Sequence, residues 1–138
     1  FDISKLLNHS IMKYENKNFT SNIEQKVFFN GRRSLINRCM DNLINNSLKY
    51  SNKVLVNLKK IHKNLIITVD DDGPGIAESE YENVFKPFYK INKGRGDSKS
   101  SVGLGLSISS DVVRSHGGSI TLEKSSLGGL KVKISLPS

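Results

Sequence analysis

A two-layer α/β sandwich, with a mixed, mostly antiparallel five-stranded sheet and about three helices on one face, is the architecture expected of this chain. Two pairs of alternating apolar runs, residues 54–58 with 65–69 and 119–124 with 130–136, read as hairpins. Apolar residues at spacings of three and four mark helices before, between and beside them. The resulting order (helix, weak strand, helix, hairpin, loop, helix, hairpin) is best satisfied when the helices lie together on one side of a single sheet.

The first helix is expected over residues 1 to about 14, where Ile3, Leu6, Leu7 and Ile11 share a face and Asp2 or Ser4 can cap the start. Residues 15–21 are polar and asparagine-rich and read as a loop. Residues 23–29 alternate weakly and read as a short strand. Asn30-Gly31 punctuates the chain, and residues 32 to about 50 form the clearest helix. There Ile36, Met40, Leu43 and Ser47 face a sheet, while Leu35, Cys39, Asn42, Asn46 and Lys49 form a neighbouring stripe whose latter half is polar.

The first hairpin turns around residues 61–64 and leads into Asp71-Asp72-Gly73-Pro74-Gly75-Ile76. A short helix is expected over about 78–83, and Pro87 breaks or kinks any continuation through Lys86. Residues 89–101 are rich in Gly, Ser, Lys and Asn with few apolar anchors, the composition of a surface loop or ligand lid. Gly103-Leu104-Gly105 opens a helix containing Leu106, Ile108, Val112 and Val113, which ends at His116-Gly117-Gly118 with a glycine C-cap. Gly128-Gly129 turns the final hairpin.

At 138 residues with 36% hydrophobic content, the chain fits one compact domain over 1–138. It shows no run of about 18 apolar residues and no export signal. One cysteine, Cys39, excludes an intramolecular disulfide and a cysteine-based zinc cluster. The net charge of +8 suits an anionic partner such as a nucleotide. The positive residues are scattered, with no basic stripe interleaved with exposed aromatics, so no nucleic acid is expected. His9 and His62 have no metal-like arrangement with each other or with Cys39, and His116 reads as a helix-end residue.

Taken singly, the motifs have ordinary readings. Asp71-Asp72-Gly73 fits a plain turn, Asn42 and Asn46 fit the solvated face of a helix, and Phe85 and Phe88 are core residues on any account. In order, however, Asn42-Leu-Ile-Asn-Asn46-Ser-Leu-Lys49-Tyr50 resembles the N box of the ATP-binding catalytic domain of bacterial sensor histidine kinases, osmosensor type. Asp71-Asp-Gly73-Pro-Gly75-Ile76 resembles their first glycine box, Phe85-Lys-Pro-Phe88 the F box, and Val102-Gly103-Leu104-Gly105-Leu106 the second glycine box. The resemblance covers essentially the whole chain. It implies the Bergerat fold shared with gyrase, Hsp90 and MutL (the GHKL superfamily), with ATP and Mg²⁺ held between helices and a flexible lid over about 88–102.

The resemblance further implies that Asp71 accepts the adenine amino group and that Gly73 and Gly75 allow close backbone approach, with Ile76 beside them. Asn46 would give Mg²⁺ an oxygen. Asn42, Lys49 and Tyr50 would lie near the phosphates, the sugar or the base edge. Gly103 and Gly105, flanked by Val102, Leu104 and Leu106, would offer backbone amides to phosphate oxygens. Phe88 would pack the lid base.

There are two departures from the family pattern. Ser101 stands where the second glycine box usually begins with glycine, and its β-carbon restricts positive φ at the lid hinge. Asn42 stands where hydrolysing relatives such as gyrase carry a glutamate that activates water. An amide cannot serve as that base, and Asp41 points about 100° away around the helix. That favours keeping the γ-phosphate for transfer, and the resemblance implies a histidine acceptor on a separate dimerisation and phosphoacceptor domain, expected upstream and absent here.

The fragment alone is expected to be monomeric and cytoplasmic, binding Mg-ATP with little or no autokinase activity. Its parent is expected to be homodimeric, in the bacterial inner membrane, and to signal to a response regulator. The alternatives are a GHKL-type ATPase, a serine protein kinase, or a nonenzymatic basic adaptor.

Overall fold

A computed structural model describes residues 1–14, 18–87 and 102–138 of the chain, with the backbone alone at 18 and 102–105. Helix α1 (Ile3–Met12) is followed by strand β1 (Asn18–Ile23), helix α2 (Arg33–Tyr50), strands β2 (Lys53–Ile61) and β3 (Asn64–Asp71), helix α3 (Val102–Ser115), and strands β4 (Ser119–Lys124) and β5 (Leu130–Pro137). The five strands form one sheet in the order β1-β2-β3-β5-β4. β1 runs parallel to β2 and the other pairings are antiparallel. The predicted sandwich is borne out, with all helices on one face.

That one-sided arrangement follows from strand periodicity. Val54, Val56 and Leu58 on β2, Leu65, Ile67 and Val69 on β3, Ile120 and Leu122 on β4, and Val132, Ile134 and Leu136 on β5 are all buried in one core. Ile3, Leu6, Leu7, Ile36, Met40, Leu43, Ile44, Val112 and Val113 cover them from the helices. The residues between them face the other way and are largely polar. Asn57 and Thr68, for example, pair across β2 and β3, with the Asn57 amide donating to the Thr68 hydroxyl at 3.3 Å.

Three helix ends explain how the layers are fixed. Asp2 caps α1, its carboxylate accepting from the Lys5 amide at 3.0 Å. The alternative cap, Ser4, is buried instead; its hydroxyl donates to the Glu24 carbonyl and accepts from the Val27 amide. α3 ends as predicted, with Gly117 at φ +77° and the Gly118 amide donating to the Val113 carbonyl. The His116 Nδ1–H donates to the Val112 carbonyl at 2.7 Å, which leaves Nε2 to accept the Arg32 amide at 3.0 Å. His116 thus ties the end of α3 to the start of α2, in agreement with its reading as a helix-end residue.

α2 and α3 also exchange hydrogen bonds midway. The Ser109 hydroxyl donates to the Cys39 carbonyl at 3.4 Å, and the Cys39 thiol lies 3.8 Å from the Ser109 carbonyl. Burial pushes the Cys39 thiol up to about 11, so it acts as a packing residue rather than a thiolate nucleophile.

Two expectations need correction. The strand expected over 23–29 lies instead at Asn18–Ile23, so residues 18–21 of the expected loop belong to β1. β1 is an edge strand whose inward residues, Phe19 and Ile23, register with Val54 and Leu58, while Thr20 and Asn22 remain exposed. An edge with only two apolar anchors carries little periodic signal. Lys26, at φ +58°, breaks any strand through 24–29, where only an isolated Asp2–Phe28 bridge forms. The short helix expected over 78–83 is two separate 3₁₀ turns, Glu78–Glu80 and Asn83–Phe85. Neither start has a side-chain cap, and a single turn cannot offset the cost of helix nucleation. The expected lid, Phe88 and Ser101 included, lies outside the described residues except for Val102, whose backbone opens α3.

Candidate functional site: a carboxylate cradle beside the polar end of α2

β3 ends in Asp70 and Asp71 and is followed by Asp72, and the three aspartates do different work. Asp71 is buried, with 7% exposure, on the helix side of the strand. Its Oδ1 accepts two backbone amides, Gly73 and Leu130, each at 3.0 Å, while its carbonyl accepts the Gly129 amide at 3.0 Å. Among the described residues Oδ2 takes no hydrogen bond, so one oxygen is saturated and the other remains an acceptor. Burial pushes the Asp71 carboxyl above its ordinary 3.8, and the two amides partly oppose that rise.

Asp72 is structural. Its Oδ1 accepts the Asn52 and Lys53 amides at 2.8 Å each, fastening the start of β2 to the end of β3. Those amides hold its carboxyl below 3.8. Asp70 is buried on the opposite side of the sheet, where it accepts the Ser125 hydroxyl at 2.7 Å and lies 3.9 Å from the Lys131 ammonium.

Close backbone approach explains two of the glycines. A β-carbon on Gly73 would lie 2.6 Å from the Tyr50 carbonyl oxygen, so the last residue of α2 abuts the turn after Asp71. A β-carbon on Gly129 would lie 2.2 Å from Asp71 Oδ1 and 2.6 Å from the Gly73 nitrogen. Gly75, at φ +71°, takes the left-handed conformation the turn requires, and Ile76 packs half-buried against the core.

The polar stripe of α2 therefore arrives beside this cradle. Asn42, Asn46 and Tyr50 recur one helical turn apart, and all three are half-buried. The Asn46 Nδ2 and the Tyr50 hydroxyl are buried with no hydrogen-bond partner among the described residues. Such groups are costly, about 1–3 kcal/mol each when left unpaired. Lys49 is exposed, with its ammonium 5.6 Å from the centre of the Tyr50 ring. Asp41 lies elsewhere on the helix, its Oδ2 taking the ammonium of Lys13, just past the end of α1, at 3.4 Å, while its buried Oδ1 has no partner among the described residues.

At the second glycine box, residues 102–105 form the first turn of α3, and Leu106 is a fully buried core residue. Phe85 packs half-buried beneath α3 beside the buried Val84. Among the described residues no group of three or more His, Cys, Asp or Glu could hold a metal ion, so a cation here would depend on amide oxygens and on its ligand's own oxygens. Sequence reasoning missed the Gly129 and Leu130 amides, two of the three that hold Asp71. The signal available was a paired glycine turn following a polar Ser125-Ser126.

Helices covering one face of a mixed, mostly antiparallel five-stranded sheet match the Bergerat α/β sandwich. Residues 31–138 match the family model described as histidine kinase-, DNA gyrase B-, and HSP90-like ATPase, and the chain belongs to that family. It is an ATP-binding catalytic domain homologous to those of sensor histidine kinases.

Sensor histidine kinase GtrS of Pseudomonas aeruginosa is 35% identical over 108 residues, which cover 78% of this chain and 22% of that protein. Sensor histidine kinase CpxA of Escherichia coli is 36% identical over 108 residues, covering 78% and 24%. The chain thus spans about a quarter of the length of these curated relatives. Among solved structures, the catalytic domain of histidine kinase ThkA superposes with a TM-score of 0.85 at 22% identity, covering 99% of this chain and 94% of that one. Mycobacterial sensor histidine kinase MprB superposes with a TM-score of 0.84 at 26% identity, covering 99% and 96%.

Proposed function

We propose that this domain binds Mg-ATP between α2, the Asp71 turn and the start of α3, and donates the γ-phosphoryl group to a histidine on a separate dimerisation and phosphoacceptor domain. The observation that carries this reading is the half-satisfied Asp71 carboxylate. With Oδ1 held by two amides, Oδ2 is a fixed acceptor in a buried setting, suited to an exocyclic amino group such as that of adenine. Gly73, Gly75 and Ile76 line the approach to it.

The unpartnered Asn46 Nδ2 and Tyr50 hydroxyl are the polar groups a bound nucleotide would satisfy. Asn46 would hold Mg²⁺ through its amide oxygen, where the ion offsets charge on the phosphates. Asn42 and Lys49 complete the polar stripe toward the phosphates. Gly103, Leu104 and Gly105, in the first turn of α3 between Val102 and Leu106, direct amides and the positive helix end at phosphate oxygens.

Transfer is favoured over hydrolysis by what the helix lacks. Asn42 cannot take a proton from water, and Asp41 lies on another stripe of α2, with one oxygen engaged by Lys13. The chain's own groups therefore position the triphosphate, and the incoming imidazole nitrogen forms the new bond to phosphorus as ADP leaves. No described helix is long and apolar enough to cross a membrane. The proposal extends to the parent as a homodimeric sensor of the inner membrane that passes its phosphoryl group to a response regulator, with this domain on the cytoplasmic side; the likeness to sensor histidine kinases supports it.

The test combines the chain with the phosphoacceptor domain of its own parent and γ-labelled ATP. Acid-labile label on that domain's histidine, lost in Asn46→Ala, is expected. Steady release of inorganic phosphate with no labelled histidine would instead establish an ATPase.

A further inference from the structure

Asp71 is not the only carboxylate at the end of β3 that grips the turn between β4 and β5. From the opposite side of the same strand, Asp70 takes the Ser125 hydroxyl at 2.7 Å, and with 3% exposure it is more deeply buried than Asp71. The Ser125 hydroxyl in turn accepts the Leu127 amide at 3.0 Å. The turn is closed on itself by the Ser125 amide to the Gly129 carbonyl, 2.9 Å, and the Gly128 amide to the Ser125 carbonyl, 3.0 Å. Its far end supplies the Gly129 and Leu130 amides to Asp71. One rigid turn is therefore pinned at Ser125 on the outer face and delivers hydrogen-bond donors on the inner face.

We infer that Ser125 and Asp70 form a latch that positions the β4–β5 turn against Asp71, and so set how strongly the pocket prefers a 6-amino purine over a 6-oxo purine. Neither residue touches the nucleotide; both are positioning residues. The latch rests on the reading above, that Asp71 Oδ2 receives the adenine amino group. If the turn shifts, the Leu130 amide holds Oδ1 less closely, and with the Gly73 amide as its main remaining anchor the carboxylate keeps the orientation that presents Oδ2 less strictly. Interactions with the phosphates, made by α2 and α3, do not pass through this turn. Loss of the latch therefore weakens ATP and spares GTP, which offers a carbonyl where adenine offers an amino group. A general loss of structure would weaken both alike.

The experiment compares the unaltered chain with Ser125→Ala, Ser125→Cys and Ser125→Thr by calorimetric titration with Mg-ATP and Mg-GTP, and by amide hydrogen exchange. Ser125→Ala is expected to weaken ATP about tenfold, the scale of one disturbed hydrogen bond, with GTP unchanged and with faster exchange at Leu130 and Gly73. Ser125→Thr keeps the hydroxyl and is expected to restore ATP affinity. Ser125→Cys keeps the shape with a weaker donor, and carries the test if the alanine variant does not fold. Equal losses for ATP and GTP, or no loss, would overturn the latch.

If the unaltered chain binds no adenine nucleotide, the proposed function falls, and the latch is judged on exchange alone. Faster exchange at Leu130 and Gly73 in the nucleotide-free variant supports it; unchanged exchange overturns it.

Discussion

Gly129→Ala should couple folding and nucleotide affinity through a single atom. The added β-carbon would lie 2.2 Å from Asp71 Oδ1, 2.6 Å from the Asp71 carbonyl oxygen and 2.6 Å from the Gly73 nitrogen, two of them backbone atoms. Restoring ordinary contact requires a separation of about 1 Å. That movement stretches the 3.0 Å bond from the Leu130 amide beyond hydrogen-bonding range. Losing a hydrogen bond to a carboxylate costs about 1.5–3 kcal/mol, and overpacking adds about 1–3 kcal/mol. Reduced freedom of the unfolded chain returns about 0.4–1 kcal/mol. The net destabilisation is about 1.5–5.5 kcal/mol, which a domain in the middle of the ordinary stability range survives.

Urea unfolding followed by circular dichroism measures that loss, and calorimetry should show ATP affinity falling about 10- to 100-fold. Gly117→Ala, at the end of α3, is the control. Its φ of +77° strains any side chain, but a β-carbon there meets only Pro137 Cγ at 3.5 Å, so stability should fall while affinity holds. A Gly129→Ala protein within about 0.5 kcal/mol of the original and equal in affinity would refute the reasoning.

Asp71→Asn should be more stable than the original at neutral pH. Burial raises the folded carboxyl above 3.8, so between 3.8 and the raised value the folded state holds the proton that the unfolded state has lost. The charged form thus opposes folding above that window, and the penalty is relieved as pH falls through it. The advantage of Asp71→Asn in urea unfolding should narrow on acidification toward pH 4, and an advantage that widens would contradict the assignment. His116→Leu removes the acceptor of the Arg32 amide and should cost about 1 kcal/mol in the same assay, with ATP affinity unchanged. Asp41→Ala should leave phosphoryl transfer and phosphate release unaltered, because its carboxylate faces Lys13; a fall in phosphate release would make it the hydrolytic base.

What was legible in the sequence follows from where the signal is local. α2, both hairpins and the glycine end of α3 are each set by periodicity and turn residues within a short stretch, and their observed limits lie close to those expected. β1 was misplaced because an edge strand holds only Phe19 and Ile23 inward. The Asp71 turn was legible as a carboxylate followed by glycines at a strand end. Its other half was not, because Leu130 lies 59 residues further along and reaches Asp71 only through the pairing of β3 with β5. Nothing in Gly128-Gly129 alone separates a plain hairpin turn from one jammed against a carboxylate.

The most direct measurement is a calorimetric titration of the chain with ATP, with and without Mg²⁺, beside Asp71→Asn and Asn46→Ala. Binding that is lost in Asp71→Asn, with its Mg²⁺ enhancement lost in Asn46→Ala, is the predicted result. An original chain that takes up no adenine nucleotide, or an Asp71→Asn variant that binds as tightly as the original, would contradict the central claim.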